Sequence, residues 1–410
     1  MTPPQIKIGI IREGKVPTDA RVPLTPLQCR QIITNYPNVS IAVQPSPIRC
    51  FKDAEYEEHG IPLQEDLNDC EVLLGVKEVP INHLIAEKTY LFFSHTIKKQ
   101  PYNLKLLQTV LERKIRLIDY EVITDERGVR LIAFGYYAGV VGAHNGVWAY
   151  GNRTGAFKLS RMNTFHDYEE VKEAYKQVQF PPFKIVVTGG GRVANGAIQT
   201  LKDMRFTQVE PSAFLSQSFD YPVFTQLHAC DYAVHKERRD FDKKDFYANG
   251  SDYESVFAPY AKVADVFVNC IYYDKKAPAF FTVEGMMHPD FKIKTIADIT
   301  CDIMPGASVP STIRPSVIAD PLYGFDPSTN QECALYQKHT IDVMAIDNLP
   351  SELPRDASDF FGKQLIDNVL PELIKGRNSA AMMRGMIAEN GQLGPYFGYL
   401  ADWVEVIPTQ

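Results

Sequence analysis

The run Phe183-Lys184-Ile185-Val186-Val187-Thr188 passes directly into Gly189-Gly190-Gly191-Arg192-Val193-Ala194-Asn195-Gly196-Ala197. No other stretch restricts the fold as much. A β-rich run, a glycine turn, and then Ile198, Leu201 and Met204 at helical spacing describe a strand, a tight turn and the opening of a helix. Such a turn lets backbone N–H groups approach a pyrophosphate at the positive end of the helix dipole. Gly189, Gly191 and Ala194 satisfy the glycine, any, glycine, any, any, glycine-or-alanine spacing of dinucleotide loops, with Arg192 and Val193 opening the helix. Glycine loops also serve as plain turns, so the context carries the weight. Glu210 lies about 20 positions beyond Gly189, at the expected end of a second strand, the offset at which a carboxylate accepts the adenosine ribose hydroxyls. A carboxylate there favours NAD over NADP, whose extra phosphate would meet like charge.

At 410 residues the chain is long enough for two α/β domains. In the first third, β-rich runs at 6–11, 39–43, 71–77, 89–94, 115–123 and 129–134 alternate with helix-length segments such as 101–114, the pattern of a parallel sheet with crossover helices. A glycine- and alanine-rich helix at 135–151 is where the chain is expected to cross between domains. A second sheet is predicted from Phe183 to about Met344, with strands at Val209, 263–271 and 294–299, and with an insertion at 214–255 where charged and aromatic residues break the rhythm. Helical runs at 356–373 and 380–390 read as a return to the first domain. The prediction is a doubly wound α/β architecture of two Rossmann-like parallel-sheet domains with the active site in the cleft between them: 1–135 plus 355–410 for substrate and catalysis, 136–354 for the dinucleotide.

With 43 basic against 50 acidic side chains the net charge is −7, which gives no electrostatic support to duplex nucleic acid or an anionic membrane as main partner. No apolar run approaches the ~18–20 residues of a membrane span, and the first residues lack a signal-peptide pattern, so the expected location is the cytoplasm. Seven scattered cysteines suggest neither a disulfide framework nor a zinc ribbon. His228, Cys230, Asp231 and His235 crowd together without recognisable ligand spacing, and no metal is predicted.

Lys77 and His95 each follow an apolar run, where open α/β sheets place their chemistry. A lysine at such an edge loses hydration and basicity, which suits a general base or a carbonyl-handling amine, and a histidine titrates near neutrality without tuning; alone, each reads as a snorkelling lysine or a core histidine, and two on successive strand ends beside a cofactor loop read as a site. Arg21, before an expected helix start, and Arg130, alternating with apolar residues, suit carboxylate binding; ion pairing on the surface is the commoner fate of each.

These stretches resemble a known family. Arg21 to Pro26, Gly75-Val76-Lys77-Glu78, Phe92-Phe93-Ser94-His95-Thr96-Ile97-Lys98-Lys99-Gln100, Leu117-Ile118-Asp119-Tyr120-Glu121 and Ala133-Phe134-Gly135-Tyr136-Tyr137-Ala138-Gly139 are similar to the lysine-forming saccharopine dehydrogenases and the related lysine–2-oxoglutarate reductases. Val268 to Tyr273, Ala297 to Asp302 and Ile346 to Arg355 extend the likeness over nearly the whole chain, in order. The resemblance implies two Rossmann-like domains, as in alanine dehydrogenase and the soluble domain of nicotinamide nucleotide transhydrogenase. It implies oxidoreductase activity in lysine metabolism, on saccharopine, lysine and 2-oxoglutarate. Lys77 and His95 would be the acid–base pair, with Arg21, Gln100, Arg130 and Phe134 around the substrate. Gly191, Arg192 and Glu210 would meet the dinucleotide, and Asp347 with Ile346 and Leu349 would form the nicotinamide-side loop. The stretch 214–255 departs from the compact fungal enzymes toward the reductase half of the animal bifunctional protein, which prefers NADPH, so NADP stays open beside NAD. The rival readings are an alanine dehydrogenase-type enzyme and a nucleotide-binding protein without catalysis. Monomer and homodimer are both compatible with the sequence.

Overall fold

Continuous aliphatic runs make buried parallel strands, because a sheet covered on both faces needs apolar residues on both. In the computed structural model, which describes residues 5–375 and 379–405, such runs build two sheets. The chain divides into two compact units, Met1–Phe134 with Pro354–Gln410, and Gly135–Leu353.

In the first unit β1 (Ile6–Ile10), β2 (Val39–Val43), β3 (Val72–Leu74), β4 (Thr89–Phe92) and β5 (Arg116–Asp119) pair in parallel in the order β2-β1-β3-β4-β5. Every residue of β3, β4 and β5 is buried. The winding reverses between β1 and β3, and ligands of open α/β sheets collect beyond the carboxyl ends of strands at such a reversal. The helix Pro26–Asn35 starts sharply: Thr25 accepts the Gln28 amide, and the Gln28 side chain returns to the Thr25 amide.

Two expectations in this unit differ from the structure. Residues 129–134 form no strand of the sheet and contribute a single bridge, Thr124 to Arg130, because the chain has left the sheet after β5. The run 380–390 is helical only over Ala380–Gly385; Met386–Glu389 is a strand antiparallel to β5, followed by Gln392–Leu393. An apolar Met-Ile-Ala segment has more to gain from covering the open edge of β5 than from prolonging a short helix.

The second unit begins with the helix Gly135–Thr154. Its strands are β6 (Lys184–Thr188), β7 (Thr207–Gln208), β8 (Val223–Leu227), β9 (Ala233–His235), β10 (Tyr253–Ser255), β11 (Val266–Asn269), β12 (Thr295–Asp298), β13 (Tyr323–Asp326), β14 (Gln331–Cys333) and β15 (Ile341–Met344). Eight of them form one sheet in the order β14-β13-β15-β12-β11-β6-β8-β7, parallel from β15 to β7; β9 and β10 pair apart from it. The stretch 214–255 is therefore not one insertion, a correction to the sequence reading. It contains β8, which lies directly against β6 over the full length of both. Five residues between a Tyr-Pro turn and a histidine carry too little periodicity to stand out among charged neighbours. What is elaborated is the part after β8: a short helix at Ala229–Tyr232, the pair β9 and β10, and the helix Lys243–Ala248.

The helix Gly135–Thr154 lies against the helix Arg192–Asp203 at backbone contact. A Cβ at Gly139 would sit 1.8 Å from the Val193 carbonyl oxygen, and one at Gly196 1.9 Å from that of Tyr136. Among the described residues no helix is long and apolar enough to cross a membrane, and all seven cysteines are free.

Gly139→Ala and Gly196→Ala should each destabilise this unit by about 1–3 kcal/mol, the usual cost of overpacking, read as the shift of its urea unfolding midpoint. Gly191→Ala, with nothing within 4 Å of the new Cβ, should stay within about 0.5 kcal/mol. Equal effects at all three positions would show that helix contact is not what these glycines provide.

Candidate functional site

In the first unit, the carboxyl ends of β1, β3 and β4 bring together charged groups that are distant in sequence. Lys77 lies just past β3 and His95 just past β4. Glu78, next to Lys77, accepts a hydrogen bond from or shares one with His95 Nδ1 at 2.6 Å and receives Lys15 Nζ at 2.7 Å. Burial alone would raise the Glu78 carboxyl, but the bonds from His95 and Lys15 outweigh it and bring its pKa down to about 2. With Nδ1 fixed on a carboxylate, His95 keeps Nε2 for other chemistry. The His95 backbone is left-handed, φ 54°, a region few imidazoles occupy. Its neighbour holds it there: Asp119, at the end of β5, accepts both the amide and the hydroxyl of Ser94, at 3.0 and 2.6 Å.

Lys77 is half-buried, and its amine is shifted below the ordinary lysine range, first by burial and then by the nearby Arg21 guanidinium. No hydrogen bond or ion pair holds its Nζ among the described residues. Arg21 is buried and makes a two-pronged pair with Asp19, Nε to Oδ1 at 3.0 Å and a terminal nitrogen to Oδ2 at 2.6 Å. Burial opposes the charge of Asp19, yet Arg21 keeps its carboxyl well below the usual range. Phe134 forms a floor for this pair: the Arg21 guanidinium lies 4.2 Å from its ring centre, and the ring stacks on Phe361 at 4.3 Å. Glu13, on the loop after β1, accepts the Val76 and Lys77 amides at 2.6 and 2.9 Å, and burial pushes its carboxyl up to about 7.

Lys77, His95, Arg21 and Phe134 are thus joined through Glu78, Asp19 and the ring of Phe93, which stacks on His95 and leans on Phe134. Gln100 precedes the helix Pro101–Glu112 and accepts the Tyr102 hydroxyl. Arg130 is exposed and pairs with Glu121 at 3.0 Å, the commoner fate of a surface arginine. The sequence reading assigned no role to Glu13, Asp19 or Glu78. Each stands within a few residues of a strand end or of Arg21, the one signal that could have found them.

In the second unit the glycine loop borders a cavity of about 460 Å³, lined also by His228, Cys230, Lys243, Tyr247, Cys270 and Tyr272. Gly189 has φ +103°, and a Cβ there would meet the Cys270 carbonyl oxygen at 2.7 Å; one at Gly190 would meet the His228 ring at 2.9 Å. Gly191 caps the helix Arg192–Asp203 without a side chain, so the first-turn amides stay open to an anion. These features fit a pyrophosphate. Val193 packs beneath the loop against the first helix of the unit. Buried polar side chains tie the strand ends beside it: Thr188 to Asn269 at 2.9 Å, Asn269 to Asp298 at 2.8 Å and Thr312 to Asp298 at 2.6 Å. Beyond β15, Ile346 and Leu349 are buried and Asp347 is exposed.

Glu210, expected at the ribose, lies apart from them. It is exposed, precedes the short helix Pro211–Ser216, and follows β7, which β8 separates from β6. Counting from the loop assumes that the next strand is the neighbouring one, and here the next strand is the edge. Among the described residues no group of three or more His, Cys, Asp or Glu side chains could hold a metal ion.

Residues 9–141 match the family model of the alanine dehydrogenase/PNT N-terminal domain. A solved L-alanine dehydrogenase superposes with TM-score 0.63 at 14% identity, covering 97% of this chain and all of its own. A transhydrogenase from Sinorhizobium meliloti gives 0.55 at 12%, covering 94% and 99%. The chain has the alanine dehydrogenase-type fold. Two groups of proteins are similar to the chain in sequence. The alpha-aminoadipic semialdehyde synthases of Arabidopsis thaliana and Rattus norvegicus are each 30% identical over 96% of this chain, which spans only 41% and 47% of their lengths. The saccharopine dehydrogenase [NAD(+), L-lysine-forming] of Emericella nidulans is 28% identical over 92% of this chain and 94% of its own. By sequence the chain is similar to these enzymes.

Two measurements test this geometry. Glu210→Gln should leave NADH affinity within twofold by fluorescence titration, whereas Gly189→Val should abolish it; a large loss in the first would restore Glu210 to the site. Because the Glu78 carboxyl has a lower pKa folded than unfolded, its stabilisation is complete above the ordinary carboxylate range and disappears as pH falls toward 2. The shift corresponds to about 3 kcal/mol. Glu78→Gln should therefore cost stability at neutral pH and converge with the parent protein near pH 2, in urea melts run across that range.

Proposed function

We propose that this chain is a nicotinamide-dependent oxidoreductase of lysine metabolism that interconverts saccharopine with L-lysine and 2-oxoglutarate. The observation that carries the reading is the adjoining of Lys77 and the Glu78–His95 pair at neighbouring strand ends. The reaction moves protons twice, at the secondary amine and during hydrolysis of an imine, and needs two acid–base groups. The names of the fungal relatives support NAD as the cofactor, and the first unit as substrate domain and the second as dinucleotide domain complete the reading. A dinucleotide held by Gly189, Gly191, Arg192 and Val193 would supply or take the hydride.

Lys77, its amine made less basic by burial and by Arg21, takes the proton of the secondary amine as saccharopine is oxidised. His95, oriented by Glu78 through Nδ1, passes protons at Nε2 while water adds to the imine carbon and the carbinolamine collapses. Arg21, fixed by Asp19 on the Phe134 face, supplies positive charge for a substrate carboxylate, and Arg130 with Gln100 border the same substrate. Asp347, with Ile346 and Leu349 beneath it, is assigned to the nicotinamide side. A cytoplasmic location belongs to the same proposal.

The test is an initial-rate assay at 340 nm with lysine, 2-oxoglutarate and NADH, repeated with NADPH, and with pyruvate and ammonia in place of the substrate pair. Turnover is expected with lysine and 2-oxoglutarate. Lys77→Met and His95→Gln should each lower kcat by about 10²-fold or more while NADH still binds. Turnover with pyruvate and ammonia alone, or full rates in both variants, would overturn the proposal.

A further inference from the structure

Among the described residues the amine of Lys77 has no partner at its tip, so its aim is set where the side chain leaves the backbone. There the sheet stops providing acceptors. The last rung between β1 and β3 is the Ile11 amide on the Leu74 carbonyl, and Gly75 donates across to Leu91 on β4. Past these rungs the Val76 and Lys77 amides go to one side chain, Glu13, one amide to each carboxylate oxygen.

Two adjacent N–H groups need two acceptor oxygens side by side. A carboxylate offers them; a glutamine would turn its NH₂ toward one of the donors. Burying that carboxylate is costly, and its pKa near 7 records the cost. Among the described residues no lysine or arginine pairs with it: the nearby Arg21 is engaged by Asp19, and Lys15 by Glu78. A group that expensive, spent on the amide of the residue expected to move a proton, is explained by what it holds. We propose that Glu13 is a positioning residue for Lys77, fixing through two successive amides the backbone from which the amine reaches the reacting atoms. The inference rests on the acid–base reading of Lys77.

Two variants test it, with one readout that needs no turnover. In Glu13→Gln, kcat with lysine, 2-oxoglutarate and NADH should fall about 10- to 100-fold, the scale of a misplacement near 1 Å, with the KM for NADH within twofold. Competitive labelling of lysine amines at pH 8, read by mass spectrometry, should show Lys77 reacting at least threefold more slowly against the other lysines, since an amine released toward water regains its proton. The charged groups facing that amine, Arg21, Asp19, Lys15 and Glu78, are unchanged in this variant. Should Glu13→Gln fail to fold, Glu13→Asp keeps both acceptor oxygens on a shorter stem and should lower kcat and Lys77 labelling in the same sense. A folded variant with kcat within twofold and unaltered Lys77 labelling overturns the proposal. If the parent protein turns over no substrate pair, the functional reading fails by itself, and the labelling still decides whether Glu13 positions Lys77.

Discussion

A buried parallel strand cannot end without leaving amides to satisfy, and in this protein that constraint organises the chemistry. In the first unit the groups that meet the amides beyond the last rungs are carboxylates: Glu13 for Val76 and Lys77, Asp119 for Ser94 and Glu121. Each is a carboxyl at an apolar sheet edge, where desolvation is severe and raises its pKa. Beside them the charged pairs are Glu78 with His95 and Lys15, and Asp19 with Arg21, and the cluster at the ends of β1, β3 and β4 is the candidate site. In the second unit the strand-end amides of Gly189, Cys270 and Ile299 find backbone carbonyls, and the side chains there bond to one another, Thr188 to Asn269 and Asn269 to Asp298, whose carboxyl burial raises to about 6. This unit has less charge at its strand ends and a glycine loop instead.

Similar carboxyls meet different fates in this small space. Glu78 has His95 and Lys15 on it and falls to about 2; Glu13 has only backbone amides and rises to about 7. Charged partners separate them. A carboxylate that stays ionised can orient an imidazole through all working pH values, which is what a proton shuttle needs from its support. Asp19 does for Arg21 what Glu78 does for His95, fixing a flexible group against Phe134 so that little ordering entropy is left to lose when an anion binds.

Where a segment's structure follows from its own residues, the sequence was enough to read it. The strands β1 to β5 are short aliphatic runs bounded by turn residues, and the glycine loop sits between a strand and an amphipathic helix; both are legible. The place of β8 is not, because which strand neighbours β6 is a long-range choice that a five-residue run cannot announce. The place of Glu210 goes with it, as an offset rule presumes strand order. Met386–Glu389 has the composition of either a helix or a strand, and the vacant edge of β5 decides. Of the site, Lys77 and His95 were legible as polar residues ending apolar runs. Their supports Glu13 and Glu78 were not, since a glutamate in a loop reads as solvated until the fold buries it.

Glycine shows how the same residue serves two purposes that sequence spacing alone confuses. Gly189 and Gly190 keep side chains off a cavity: one is left-handed and presses on the Cys270 carbonyl, the other faces His228. Gly196, seven residues on, does nothing for the cavity and lets two helices touch at backbone distance. The helix that receives it begins at Gly135, immediately after the Phe134 that floors the Arg21–Asp19 pair. A bulky residue at 139 or 196 would push that helix off the Arg192–Asp203 helix, and the amides that open the latter would move with it. Loop glycines keep room in the cavity; helix glycines fix where that room is, and the second task depends on contacts that no motif records.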